Sequence, residues 1–167
     1  LGRIHGGAEA HAAIDLARRA GFDNFNLDLM YGLPGQTPAQ AIADVDAALA
    51  HEPTHLSLYQ LTLEPHTAFA AKLPMLPDDD ALSDIETALQ AATHDAGFEH
   101  YEVSAYARAN RRCRHNLNYW QFGDYLGIGA GAHGKLSFAD RIVRQVRWRE
   151  PAMYMDKALA GQALSNE

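Results

Sequence analysis

Ala20-Gly21-Phe22-Asp23-Asn24-Phe25-Asn26-Leu27-Asp28 returns 76 residues later as Ala96-Gly97-Phe98-Glu99-His100-Tyr101-Glu102-Val103-Ser104. In each copy a helix-forming stretch stops at glycine and β-type residues follow. Residues 8–20 contain six alanines and no proline, with Ala10, Ala13, Ile14 and Ala17 at helical spacing. Gly21 suits a left-handed helix end. Phe25, Leu27 and Leu29 then alternate with Asn26, Asp28 and Met30, which predicts a strand with one apolar and one polar face. Ahead of the second copy, Pro77 and Asp78–Asp80 open a helix with acids at its positive end and Leu82, Ile85 and Leu89 turned inward. Phe25 falls on Tyr101, and Asp28 on Ser104.

Between the copies, Thr37, Pro38 and Gln40 form an N-cap and capping-box signal for a helix whose stripe is Ile42, Val45 and Leu49. Residues 55–63 read as a strand that Pro65 stops. A helix–glycine–strand unit used twice, with a third strand between, predicts repeating β/α units and a parallel sheet. After residue 106 the pattern changes. Arginines, aromatics and a glycine-rich stretch lead to a hairpin over 135–148, and Pro151 opens a short helix ending before Gly161. Residues 1–105 and 106–167 are therefore expected to differ in architecture. Leu164–Glu167 shows nothing like a closing element, and Leu1 is no start methionine, so the chain reads as a fragment cut at both ends.

Of the 167 residues, 47% are apolar and 21% charged, enough for a core and unlike a disordered chain. A net charge of −7 argues against nucleic acid as partner. No apolar run reaches membrane-spanning length, and no signal segment opens the chain. The single cysteine, Cys113, excludes a disulfide framework, and excludes an iron–sulfur cluster built from this chain alone. It fits a reducing cytosol, and a cytoplasmic location is expected.

Several residues could carry chemistry. Asp28, on the polar face near its strand's end, could accept ribose hydroxyls, or could tie down the amides of the Tyr31–Gly35 turn. Gly129-Ala130-Gly131-Ala132-His133-Gly134 matches the dinucleotide fingerprint literally, but β-type residues follow it, so close backbone packing is the better reading. His115-Asn116-Leu117-Asn118-Tyr119-Trp120 joins an imidazole, two amides and two aromatics. Imidazole can ligate haem iron and aromatic faces suit a porphyrin plane; the plainer alternative is a hydrogen-bonded histidine. The arginines at 108, 111, 112 and 114 could meet porphyrin propionates or form a solvated basic loop. Cys113 with His115 is too few ligands for zinc.

Asn26-Leu27-Asp28-Leu29-Met30-Tyr31-Gly32-Leu33-Pro34-Gly35-Gln36-Thr37 resembles a motif of radical S-adenosylmethionine (SAM) proteins related to oxygen-independent coproporphyrinogen III oxidase. His55-Leu56-Ser57 through Glu64-Pro65, Leu76–Asp80, His115–Trp120, and Phe122–Gly129 with His133–Leu136 resemble its HemW branch, regarded as haem chaperones. The resemblance runs from Leu1 to about Arg149. It implies an α/β fold: the last strands of a partial parallel (β/α)6 radical-SAM barrel, then a small α+β extension. It also implies a SAM pocket holding Arg3 and Asp28, with Thr62 and His133 as weaker candidates. Haem would be bound by His115, Asn116, Tyr119 and Trp120, with His115 the candidate iron ligand. The three-cysteine motif of the [4Fe–4S] cluster is absent here, so the cluster belongs to the full-length parent and this fragment should be inactive. The implied function is haem binding and delivery to haem-accepting respiratory proteins, with peripheral membrane association of the parent. The alternative is an oxygen-independent coproporphyrinogen III oxidase of porphyrin biosynthesis.

Overall fold

The computed structural model describes residues 5–65, 67 and 74–166. The chain divides into two compact units, one up to Arg112 and one from Cys113. The first contains α1 (Gly7–Arg19), β1 (Asn26–Tyr31), α2 (Pro38–Leu49), β2 (His55–Gln60), α3 (Asp79–Asp95), β3 (Glu99–Glu102) and β4 (Ala105–Ala107).

The repeated nine residues do the same backbone work twice. Gly21 N–H donates to Arg18 O and Phe22 N–H to Ala17 O; Gly97 N–H donates to His94 O and Phe98 N–H to Thr93 O. Both are Schellman ends, closed by glycines with φ of +92° and +81°. Their phenylalanines part company, because Phe98 is buried in the core and Phe22 is exposed. The Thr37–Gln40 capping box forms as expected, and Asp78 caps α3 by accepting from Ala81 N–H.

The four-stranded sheet has the order β1-β2-β4-β3. β1 and β2 pair in parallel, and β4 is antiparallel to both of its neighbours. β3 therefore runs the same way as β1 and β2, as the repeat implies, but does not lie beside them. This corrects the expectation of a parallel sheet: the sheet is mixed, and the described strands do not close a barrel. The cause is the turn at Val103-Ser104. Glu102 Oε2 accepts from both the N–H and the hydroxyl of Ser104 at 3.0 Å, reversing the chain within two residues. β4 then takes the place beside β2 that a helical crossover would have given to β3. The strand expected over 55–63 ends at Gln60, since Leu61 N–H makes a last bond to Tyr31 O where β1 itself ends.

One face of the sheet is apolar. Leu56 and Leu58 of β2 and Tyr106 of β4 pack with Ala41, Val45 and Ala48 of α2, and with Ile85 and Leu89 of α3. Leu27, Leu29 and Tyr31 of β1 extend this core. Helix α1 buries no residue.

The second unit holds α4 (Arg114–Trp120), β5 (His133–Ser137), β6 (Ile142–Arg147), α5 (Pro151–Leu159) and β7 (Leu164–Asn166). Its three strands form the antiparallel order β5-β6-β7. The tail supplies the third strand, with Val146 opposite Asn166 and Arg147 opposite Leu164. The Gly129–Gly134 stretch runs into a strand, so the geometry for cradling phosphate is missing. Within it Gly134 serves backbone packing, since an added Cβ would lie 3.1 Å from the Gly127 nitrogen, and on the facing segment a Cβ on Gly127 would lie 2.3 Å from His133 O.

Candidate functional site

The sheet's other face is polar, and the register explains why its groups meet. Asn26 lies opposite His55 and Asp28 opposite Ser57. Asn26 Nδ2 donates to Asp28 Oδ1 at 2.6 Å. A carboxylate only accepts, so the amide's NH2 must face Asp28 and its oxygen must face β2. That oxygen accepts from Ser57 Oγ at 3.1 Å and from His55 Nδ1 at 2.7 Å. His55 Nδ1 therefore donates, and in the neutral ring Nε2 accepts from Tyr101 Oη at 2.6 Å. The His55 and Tyr101 rings meet edge to face with centroids 5.5 Å apart.

Two local features let this chain of bonds cross the sheet. On this face β4 presents Ala105 and Ala107 opposite Ser57 and His55, so no long side chain intervenes. A bulge between His100 and Glu102 inserts Tyr101 into β3, with Glu102 opposite Ala105. Arg112 lies over the Tyr101 ring at 5.5 Å and pairs with Glu99 at 3.1 Å. At the far end Asp28 is exposed, and its Oδ2 has no partner among the described residues.

In the second unit, α4 arranges its motif by helical spacing. His115 and Tyr119 are four residues apart on one row, and Asn116 and Trp120 on the next. His115, Tyr119 and Trp120 are exposed and Asn116 is half-buried. The Tyr119 ring packs edge-on against Tyr125 at 4.9 Å. The helix ends with Phe122 N–H donating to Tyr119 O and Gly123 N–H to Asn118 O, which places Phe122 in the left-handed region at φ +59°. That conformation costs a non-glycine residue about 1–2 kcal/mol.

A buried ammonium holds this end. Lys135, 2% exposed, donates from Nζ to Phe122 O at 2.8 Å, Asp124 Oδ1 at 2.9 Å and Ser137 Oγ at 2.8 Å. It also sits 3.9 Å from the Phe122 ring centroid. Asp124 accepts in addition from the Ser137 N–H and hydroxyl. The Ser137 N–H above all, with the Lys135 and Ser137 side chains, holds the Asp124 carboxyl down at about 2.

The expected site residues are thus distributed between the units. Arg3 lies outside the described residues. Asp28 heads the polar chain, while Thr62, exposed beyond the end of β2, donates to Glu64 at 3.1 Å. His133 is the exposed first residue of β5, and His115, Asn116, Tyr119 and Trp120 share α4. Of the arginines, Arg108 is structural: it donates to Pro53 O and Ala96 O and lies over Phe98 at 4.7 Å. Among the described residues no group of three metal-ligating side chains converges, and Cys113 is the chain's single cysteine, short of the three thiolates a [4Fe–4S] cluster takes. Asn26, His55, Ser57, Tyr101 and Lys135 receive no role of their own from the sequence. The period of two over 55–60 puts His55 and Ser57 on one face and was the available signal.

No family model matches the chain. It is 53% identical over 156 residues to the haem chaperone HemW of Escherichia coli, covering 93% of this chain and 41% of that protein. It is 54% identical to the Haemophilus influenzae haem chaperone HemW, again over 93% of this chain and 41% of the relative. The Mycobacterium tuberculosis haem chaperone HemW is 38% identical over 98% of this chain and 42% of its own length. The chain thus spans about two fifths of these relatives. Among solved structures, E. coli coproporphyrinogen III oxidase (HemN), described as a radical SAM enzyme, matches with a TM-score of 0.74 at 24% identity, covering 96% of this chain and 40% of that one. At that identity the likeness concerns the fold. Over nearly its whole length the chain is thus HemW-like in sequence, and its fold is that of the matching part of HemN.

Proposed function

We propose that the protein carrying this chain binds haem as cargo and passes it to haem-accepting respiratory proteins, in the cytoplasm or at the membrane surface. One observation supports this above the rest: α4 exposes His115, Tyr119 and Trp120 together. Such a surface suits a flat, apolar, iron-bearing ligand. The His115 imidazole would offer a lone pair to iron, and the Tyr119 and Trp120 rings, with the half-buried Asn116 amide, would suit the face of a macrocycle. Arg114, the exposed first residue of α4, suits a propionate. The residues present fit haem.

They also fit part of a SAM site. Asp28 presents an exposed carboxylate oxygen at the head of an ordered polar chain, which suits a ribose diol. Thr62, in the same unit, is a further candidate, while Arg3 lies outside the described residues and His133 belongs to the second unit. A [4Fe–4S] cluster takes three thiolates, which this chain's single cysteine does not supply.

The test uses full-length protein reconstituted with its cluster and given coproporphyrinogen III and SAM, or loaded with haem and mixed with an apo respiratory haem protein. Haem transfer without decarboxylation is expected. Multiple-turnover release of carbon dioxide from the propionates would overturn the carrier reading in favour of an oxidase.

A further inference from the structure

We infer that His55 and Tyr101 are positioning residues for Asp28, acting through Asn26 to turn one carboxylate oxygen toward a ligand's vicinal diol. The inference rests on the proposed role of Asp28 in nucleoside binding. Tyr101 Oη donates to His55 Nε2, His55 Nδ1 donates to Asn26 Oδ1, and Asn26 Nδ2 donates to Asp28 Oδ1, at 2.6, 2.7 and 2.6 Å. Every link is polarised the same way, toward the carboxylate.

The chain removes a choice that Asp28 would otherwise have. An asparagine amide can turn over, and with its oxygen toward Asp28 it would repel the carboxylate. Two donors from β2, His55 Nδ1–H and the Ser57 hydroxyl, hold the oxygen on the other side. His55 is 4% exposed, so water cannot easily replace it as donor. Tyr101, set on this face by the β3 bulge, fixes the histidine tautomer that makes the donation possible. Asp28 Oδ1 is thereby occupied by Asn26, and Oδ2 is the oxygen turned outward to accept from hydroxyls.

The test measures equilibrium binding of SAM, and of an analogue whose ribose lacks both hydroxyls, to full-length reconstituted protein. The wild type is expected to prefer the diol ligand, and Asp28→Asn to abolish that preference. His55→Ala and Tyr101→Phe are expected to narrow it, His55→Ala by about tenfold, the lower end of what losing a partner behind a ligand-holding group costs. Affinity for the analogue should stay unchanged. His55→Asn, whose amide N–H reaches about the Nδ1 position, should restore most of the preference. Tyr101→Phe keeps the ring and its packing, so it reports even where His55→Ala folds poorly. Equal weakening of both ligands would mean a purely structural role and would overturn the inference. Preference lost in Asp28→Asn but intact in the His55 and Tyr101 variants would overturn the positioning alone. Preference intact in Asp28→Asn would overturn the reading of Asp28 and the positioning with it.

Discussion

Lys135 shows how much a single side chain decides. Its ammonium is buried between the carbonyl and ring of Phe122 and the side chains of Asp124 and Ser137, so it fixes the strained end of the α4 motif. Nothing in a lysine inside a hairpin strand announces this, because two of its three acceptors come from a loop 11 to 13 residues away. The same holds for His55, whose partners lie 29 and 46 residues distant. Residue types and faces were legible in the sequence; the pairings are set by register. Asp124 makes the clamp measurable. Its folded pKa, about 2, lies below the ordinary aspartate value of about 3.9. A depressed carboxyl stabilises the fold in full above the unfolded value and loses that contribution as pH falls toward the folded one. The second unit is therefore expected to lose stability between roughly pH 4 and pH 2, and Asp124→Asn to lower its midpoint at neutral pH while flattening that acid limb. Both tryptophans, Trp120 and Trp148, lie in this unit, so urea titrations followed by tryptophan fluorescence check it directly.

At the level of elements, most helices and strands follow from local signals. The Thr37 capping box, the Asp78 cap and the two Schellman glycines set their ends where the sequence says. Thr37→Ala should cost about 1 kcal/mol by chemical denaturation, the usual effect of losing a cap. What local signals do not contain is the order of strands. A two-residue turn at Val103-Ser104 puts β4 between β2 and β3, and the choice between a hairpin and a crossover rests on which strand reaches β2 first. The tail Leu164–Asn166 likewise becomes a strand because the β6 edge is available. The glycine-rich stretch is a crossing of two backbones, in which Tyr125 and Lys135 exchange both N–H···O bonds at 3.0 and 2.9 Å. Gly127→Ala would force a Cβ to 2.3 Å from His133 O. The expected result is a loss of about 3 kcal/mol in the second unit, with the tryptophan signal reporting it; an unchanged midpoint would mean the crossing is loose.

Across the whole molecule, the two candidate surfaces fall in different units, the polar chain ending at Asp28 in one and the exposed α4 motif in the other. No helix among the described residues is long and apolar enough to cross a membrane. The single cysteine, which in the sequence excluded a cluster, now reads beside relatives of which this chain spans about two fifths. The proposal that rests on the exposed α4 motif is that His115 holds haem iron. Its most direct test is absorbance titration of haem into the full-length protein, wild type against His115→Ala, with quenching of tryptophan emission beside Trp120 as a second signal. A shifted haem band and at least ~10-fold weaker binding are expected in the variant. An identical spectrum and affinity would contradict it.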